Sequence, residues 1–267
     1  MTIFRRLNTA PVAVRRLRSR SIDPFRDNIS VLSRDVQQIK PIFDSDLKVK
    51  RVFDIILSVI ALVLLSPLLA VAAILIKLES NGPVFYSQER IGLNRRSVDR
   101  RRRDSGIKFE RRSRKDRRVE NGYGKPFTMY KLRTMKQNAE RSGPALAEKN
   151  DSRITRIGKI LRRTRIDELP QFVNVLRGDM SLIGPRPERS FYIKSIRKEI
   201  PEFTLRLKTK PGITGLAQVE AGYANSIDLM KKKLSYDLLY IMSLSFLTEA
   251  KIIIKTISVI LTGKGAY

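Results

Sequence analysis

From Ile55 to Ile76 the chain reads IILSVIALVLLSPLLAVAAILI, twenty-two residues without one charge. As an α-helix this run is about 33 Å long, close to the thickness of a bilayer's hydrocarbon core. An ordinary transmembrane span is the first expectation. Two features favour a bent, re-entrant course instead. Ser66-Pro67 stands at the centre, where proline removes a backbone donor and kinks the helix, with Ser66 able to cap the freed groups. Cations also flank both ends: Lys48, Lys50 and Arg51 before, Lys77, Arg90, Arg95 and Arg96 after. The positive-inside tendency keeps both flanks in the cytoplasm, so the segment enters and leaves by one face. The expectation is a membrane hairpin over 48–80, broken at Ser66 and Pro67.

Outward from this segment the chain changes character. Residues 1–47 are a basic leader with Arg5, Arg6, Arg15, Arg16, Arg18 and Arg20 and no contiguous apolar core, which excludes a secretory signal. Its Arg-rich part, residues 1–34, reads as a disordered tail or as a helix lying on anionic lipid. Beyond the apolar run, Gly82-Pro83 signals a turn and residues 84–88 a strand; residues 127–132 read as a second strand. Between them, Arg95 to Arg118 holds eleven Arg and two Lys against four acids, a net +9. Its sequence carries a loose echo, RRSVDRR and RRSRKDRR. Apolar residues from Ile154 to Leu176 recur at helical spacing, interrupted near Pro170. A helix is expected over 231–247. The run 249–262 is too short to span and suits either a membrane surface or a core.

The 267 residues carry 54 Lys and Arg against 26 Asp and Glu, a formal charge of +28. Such a surface draws anions: nucleic acid, acidic head groups or phosphorylated substrates. Phe109 is the basic block's one aromatic, too little for base stacking, so no nucleic acid partner is expected. Cysteine and histidine are absent. That excludes disulfides, the usual zinc sites and imidazole catalysis, and leaves a metal only oxygen ligands, which suits magnesium or manganese.

Asp167-Glu168 is the natural place to look for chemistry. Arg162, Arg163, Arg165 and Arg177 surround it in sequence. Neighbouring cations keep carboxylates ionised, fit for nucleophilic attack or metal binding, and arginines hold phosphate oxygens. A lone Asp-Glu dipeptide is nonetheless usually a surface ion-pair cluster. Two Gly/Pro-bounded loops, GDMSLIGPRP at 178–187 and PGITG at 211–215, could bring backbone N–H groups and cations to a phosphate, or be simple turns.

Five segments in order remove that ambiguity: KVKRVFDIILSVIALVLLSP, GPVFYSQERIG, KPFTMYKLRTM, LRRTRIDELPQFVNVLRGDMSLIGPRPE and KPGITGLAQV. Together they resemble the bacterial sugar transferase family, the monotopic polyprenyl-phosphate sugar-1-phosphate transferases, over about 48–267. The resemblance implies an α+β, mainly helical fold. It would comprise a re-entrant helix-break-helix, a β-hairpin and amphipathic interfacial helices around a small cytoplasmic catalytic domain, 81–267. It implies that Asp167 is the nucleophile and that Glu168 helps bind Mg²⁺. It further implies attack on the sugar-bearing phosphorus of a UDP-sugar, release of UMP, and transfer to undecaprenyl phosphate. Arg162, Lys131, Arg133 and the Pro185-Arg186-Pro187 motif would bind substrate. The setting implied is the bacterial inner membrane, with membrane lipid as a further partner and room for a homo-oligomer.

Two departures stand out. Larger relatives carry transmembrane helices and a further domain ahead of this unit, where a short leader is expected here. The basic stretch at about 94–124 is an insertion at a hairpin tip, where the family has a short turn. The competing reading is a non-enzymatic, membrane-anchored basic protein that binds anionic lipid or nucleic acid.

Overall fold

The computed structural model describes residues 29–39, 47–94, 123–137, 139, 151–221 and 226–262. It is a mainly helical α+β structure with one long apolar helix, a β-hairpin and a short parallel strand pair. The basic block and residues 1–28 and 40–46 lie outside the described residues.

Ile29, Leu32 and Val36 form a one-sided apolar stripe at helical spacing, and helix α1, Ile29–Gln38, buries it. Leu32 and Val36 join a core with Phe203, Leu207, Leu234 and Leu238. Lys208 Nζ donates to the carbonyls of Val36, Gln37 and Ile39 at 2.7, 2.8 and 2.5 Å, a cation at the negative end of the helix. This part of the expected leader is therefore neither a disordered tail nor a lipid-lying helix. The Arg-rich residues ahead of it hide a stripe only three residues long.

Helix α2 spans Lys48–Glu79, 32 residues and about 48 Å if straight. Among the described residues it is the one helix long and apolar enough to cross a membrane, and only 11% of its most apolar window is buried by protein. A soluble core helix would bury most of that surface, so α2 has the character of a membrane-associated segment. Pro67, the expected break, lies inside this one helix. Pro67 has no N–H to offer the Val63 carbonyl four residues earlier, and Ser66 Oγ donates to that carbonyl instead, at 2.8 Å. The serine satisfies the acceptor that proline orphans, and the helical path continues.

Both ends of α2 are tied to the same body. At its start, Arg51 donates to the carbonyls of Val175 and Leu176 at 2.6 and 3.0 Å. Asp54 accepts from the Leu182 N–H at 3.2 Å, and Lys50 pairs with Glu249 at 2.5 Å. At its end, the Glu79 carboxylate accepts from the N–H groups of Arg156 and Ile157, capping helix α3, Arg156–Arg163. Ala72 and Ile76 pack there on Leu132 and Leu161.

Strands β1, Phe85–Ile91, and β2, Pro126–Leu132, pair antiparallel from Phe85 opposite Leu132 to Ile91 opposite Pro126. The first strand runs three residues past its expected end. Asn174, fully buried on helix α4 (Gln171–Arg177), completes the outer edge of β2. Its Nδ2 donates to Thr128 O at 2.6 Å and its Oδ1 accepts from Tyr130 N at 3.1 Å. One amide thereby stands in for a neighbouring strand and docks α4 beside β2.

The two Gly/Pro stretches expected as loops contain a second, parallel pair: β3, Ser181–Ile183, and β4, Gly212–Thr214. Three residues each are too few to show a period in sequence. A Cβ on Gly212 would lie 2.0 Å from Gly184 N, and one on Gly184 would lie 2.3 Å from Lys210 O. Glycine at both positions is what lets these backbones meet. The C-terminal half is helix α5 (Ser190–Glu199), a 3₁₀ helix (Pro201–Lys208) and α6 (Leu216–Glu220), then α7 (Ile227–Met242) and α8 (Phe246–Thr262). The helix expected over 231–247 thus ends at Met242. Ser245 and Thr248 hydroxyls bond each other at 2.9 Å where α8 begins.

Candidate active site

Helix α3 is followed by Arg165, which at φ 60° is the one non-glycine residue with positive φ among the described residues. That conformation costs a β-carbon-bearing residue about 1–2 kcal/mol. It reverses the chain into a single 3₁₀ turn, Ile166–Glu168, and delivers both carboxylates inward. Asp167 is 6% exposed and Glu168 7%. Strain stored directly ahead of a buried acid pair marks a functional site more than a surface ion-pair cluster.

Two cations meet Glu168. Lys131, from β2, places Nζ 2.8 Å from Glu168 Oε1 and 3.9 Å from Asp167 Oδ2. Arg186, carried just past β3, places Nη2 2.7 Å from the same Glu168 oxygen, while its Nη1 donates to Gln218 Oε1 at 3.1 Å. Burial alone would raise Glu168, but Arg186 and Lys131 outweigh it and hold the carboxyl well below its ordinary range. Glu168 raises the affinity of Arg186 for its proton in return. Asp167 behaves oppositely. Burial pushes it up, Lys131 at its longer distance only partly opposes this, and the charge of Glu168 adds to the rise. The pair is thus a fixed, neutralised anion beside a less committed one.

Arg162 stands behind the pair: its Nε donates to Thr134 Oγ1 at 2.9 Å, and its charge acts on Asp167 and Asp151. Pro185 and Pro187 flank Arg186, and Arg90 donates to the Pro187 carbonyl at 3.2 Å. Of the residues expected to bind substrate, Arg133 does not join the group. It donates to Asn81 O and Ser80 O, both at 2.7 Å, and to Ser80 Oγ at 3.0 Å, closing the end of α2. Strand β2 ends at Leu132, so Arg133 leaves the alternation that aims Lys131 at the acids. Ser66 and Pro67 belong to α2 and not to this group. Gln218 and Asn174 are not among the expected residues, although KPGITGLAQV and LRRTRIDELPQFVNVLRGDMSLIGPRPE contain them.

The family model described as "Bacterial sugar transferase" matches residues 45–102 and 107–263, interrupted only inside the basic block. An Aeromonas hydrophila UDP-N-acetylgalactosamine-undecaprenyl-phosphate N-acetylgalactosaminephosphotransferase is 43% identical over 218 residues, 82% of this chain and 45% of that protein. A Caulobacter vibrioides UDP-glucose:undecaprenyl-phosphate glucose-1-phosphate transferase is 38% identical over 220 residues, 82% of this chain and 72% of that protein. The exopolysaccharide production protein PSS of Rhizobium leguminosarum is 37% identical over 227 residues, 82% of this chain and 99% of that protein. The chain therefore spans about half the length of some curated relatives and nearly all of another. With the matched region running from the start of the apolar helix through the acid pair to α8, the chain belongs to the bacterial sugar transferase family.

Proposed function

We propose that this chain transfers a sugar 1-phosphate from a UDP-sugar to undecaprenyl phosphate, releasing UMP, as the first membrane step of exopolysaccharide or related glycan synthesis. The observation that carries this is the asymmetry of the acid pair: Glu168 is clamped by two cations, while among the described residues Asp167 makes one longer ion pair, to Lys131. Asp167 Oδ attacks the sugar-bearing phosphorus, and the bond from that phosphorus to the oxygen bridging to the nucleoside phosphate breaks. UMP leaves with that oxygen and its electron pair. A phosphate oxygen of the polyprenyl phosphate then attacks the phosphorus of this phosphosugar-aspartyl mixed anhydride, and the P–Oδ bond breaks, which regenerates the carboxylate. Lys131 and Arg186, fixed by Glu168, meet the anionic phosphates without reorganising.

The donor set suits Mg²⁺: two adjacent carboxylates, with no histidine or cysteine anywhere in the chain. Among the described residues no group of three such donors exists, so substrate phosphates and water would complete the shell. Glu168, with Asp167, would hold the ion, which would supply charge neutralisation on the transferring phosphoryl group. The test is a panel of UDP-sugars given to membrane-purified protein with Mg²⁺ and no lipid. Stoichiometric UMP release and a covalent phosphosugar adduct are expected. Silence across a broad panel would sink the transferase reading and favour the basic binding protein.

For the membrane we propose that α2 enters and leaves by the cytoplasmic face of the inner membrane, bent about Pro67 as one helix. Supporting this, Arg51, Asp54 and Glu79 all bond to the body that holds Asp167. A straight span would carry one end about 30 Å away, across the bilayer. Phe246, Leu247, Ile254, Ile257 and Leu261 leave an exposed apolar face on α8, and the Phe246 ring lies 5.5 Å from that of Phe53 on α2. That face suits the interface beside the anchor. The chain has no native thiol. Single cysteines at positions 46 and 81 are expected to react with a membrane-impermeant reagent only from the cytoplasmic side; periplasmic labelling of either would restore a simple span.

A further inference from the structure

Pro185 and Pro187 deprive the segment around Arg186 of two backbone donors, so it is held through its carbonyls. Four consecutive ones are taken: Pro185 O by Gly212 N at 3.0 Å, Arg186 O by Arg206 Nη2 at 3.0 Å, Pro187 O by Arg90 Nη1 at 3.2 Å and Glu188 O by Ile91 N at 3.0 Å. The Arg186 carbonyl alone is held by a deeply buried charge pair. Arg206, 6% exposed in the 3₁₀ helix, also stands 2.8 Å from Asp237 Oδ2, and Asp237 on α7 is 2% exposed. The Phe203 ring lies 4.7 Å from the Arg206 guanidinium. Burying such a pair is costly, and an apolar pair would have packed as well.

We infer that Arg206, fixed by Asp237, is the positioning residue that sets the reach of Arg186 into the donor-phosphate site. Its bond to the Arg186 backbone fixes the base of the side chain, while Glu168 and Gln218 fix its tip. A cation held at both ends meets a diphosphate in one geometry, and a shift of about 1 Å in such a group can cost up to about a hundredfold. The inference rests on the reading of Arg186 as a donor contact.

The test uses full-length, membrane-purified protein with UDP-sugar and polyprenyl phosphate. Arg206→Lys keeps a cation near Asp237 but loses the longer, planar guanidinium whose Nη2 meets both Asp237 Oδ2 and the Arg186 carbonyl. The pair Arg206→Met with Asp237→Leu replaces the charges by apolar side chains of similar bulk. Both are expected to keep the wild-type unfolding midpoint within a few degrees. Both should raise donor KM by about tenfold, with kcat within about threefold and acceptor KM unchanged. A folded variant with wild-type donor KM overturns the inference. Failure of both variants to fold also overturns it, since that makes the pair only a stability element, and so does a loss in kcat with both KM values unchanged, which places the effect in the transition state and not in donor binding. Arg186→Lys is read separately: wild-type donor KM in that variant breaks the assignment of Arg186 itself, whatever the Arg206 variants do.

Discussion

Asp167→Asn leaves a folded, membrane-bound protein that forms no phosphosugar adduct and releases UMP slower by at least about 10⁴-fold, the scale expected when a covalent nucleophile is lost. The amide has the shape of the carboxylate and no charge to attack with. Stability should move the other way. Burial raises the Asp167 pKa in the folded state, so ionised Asp167 costs folding free energy at neutral pH, and that cost disappears as pH falls through the raised value. Asparagine removes the cost at every pH, so the unfolding midpoint is expected to stay level or rise. The wild-type rate should fall as pH drops through the same raised pKa, because only the carboxylate attacks. Adduct mass after incubation with UDP-sugar, beside a melting curve of the same sample, separates lost chemistry from lost fold. An adduct that survives the substitution removes Asp167 from the mechanism.

The parts of this fold that were legible in sequence are those with a long or closed pattern. Twenty-two uncharged residues mark α2 by their length, and residues 127–132 mark β2 by their strand-like composition. The acid pair was legible through its motif neighbours. Less legible are residues whose contacts depend on where an element ends. Arg133 looks equivalent to Lys131 two residues away, yet β2 stops between them and one faces the acids while the other closes α2. The Ser66-Pro67 pair was legible as a place where the serine could cap freed groups, and Ser66 bonds the carbonyl that proline leaves without a donor. β3 and β4 are three residues each and exist because Gly184 and Gly212 allow contact, a property of a pair far apart in the chain. Asn174, Gln218 and Arg206 act through long-range polar contacts, which leave no periodic trace.

Glu168→Gln is expected to slow adduct formation by about 10²-fold without abolishing it, which distinguishes it from Asp167→Asn. The reason lies in the two cations. Lys131 Nζ and Arg186 Nη2 both sit within 2.8 Å of Glu168 Oε1. A neutral amide leaves them converging on a buried point with no fixed anion, and uncompensated buried charge is unfavourable. The charge left for them is Asp167, now drawn from a loose 3.9 Å ion pair with Lys131 into a tight one. Glu168 also raises Asp167, so its loss lowers the Asp167 pKa. A carboxylate at lower pKa, engaged by two cations, is a weaker nucleophile. The acid limb of the rate profile should therefore move to lower pH while the plateau falls. Half-saturation by Mg²⁺ should rise as well, because one of two carboxylate donors is gone. Single-turnover adduct formation across pH and Mg²⁺ concentration reads all three effects. A wild-type rate in Glu168→Gln would show that the two cations need no anion between them; complete absence of adduct would make Glu168, not Asp167 alone, essential to the covalent step.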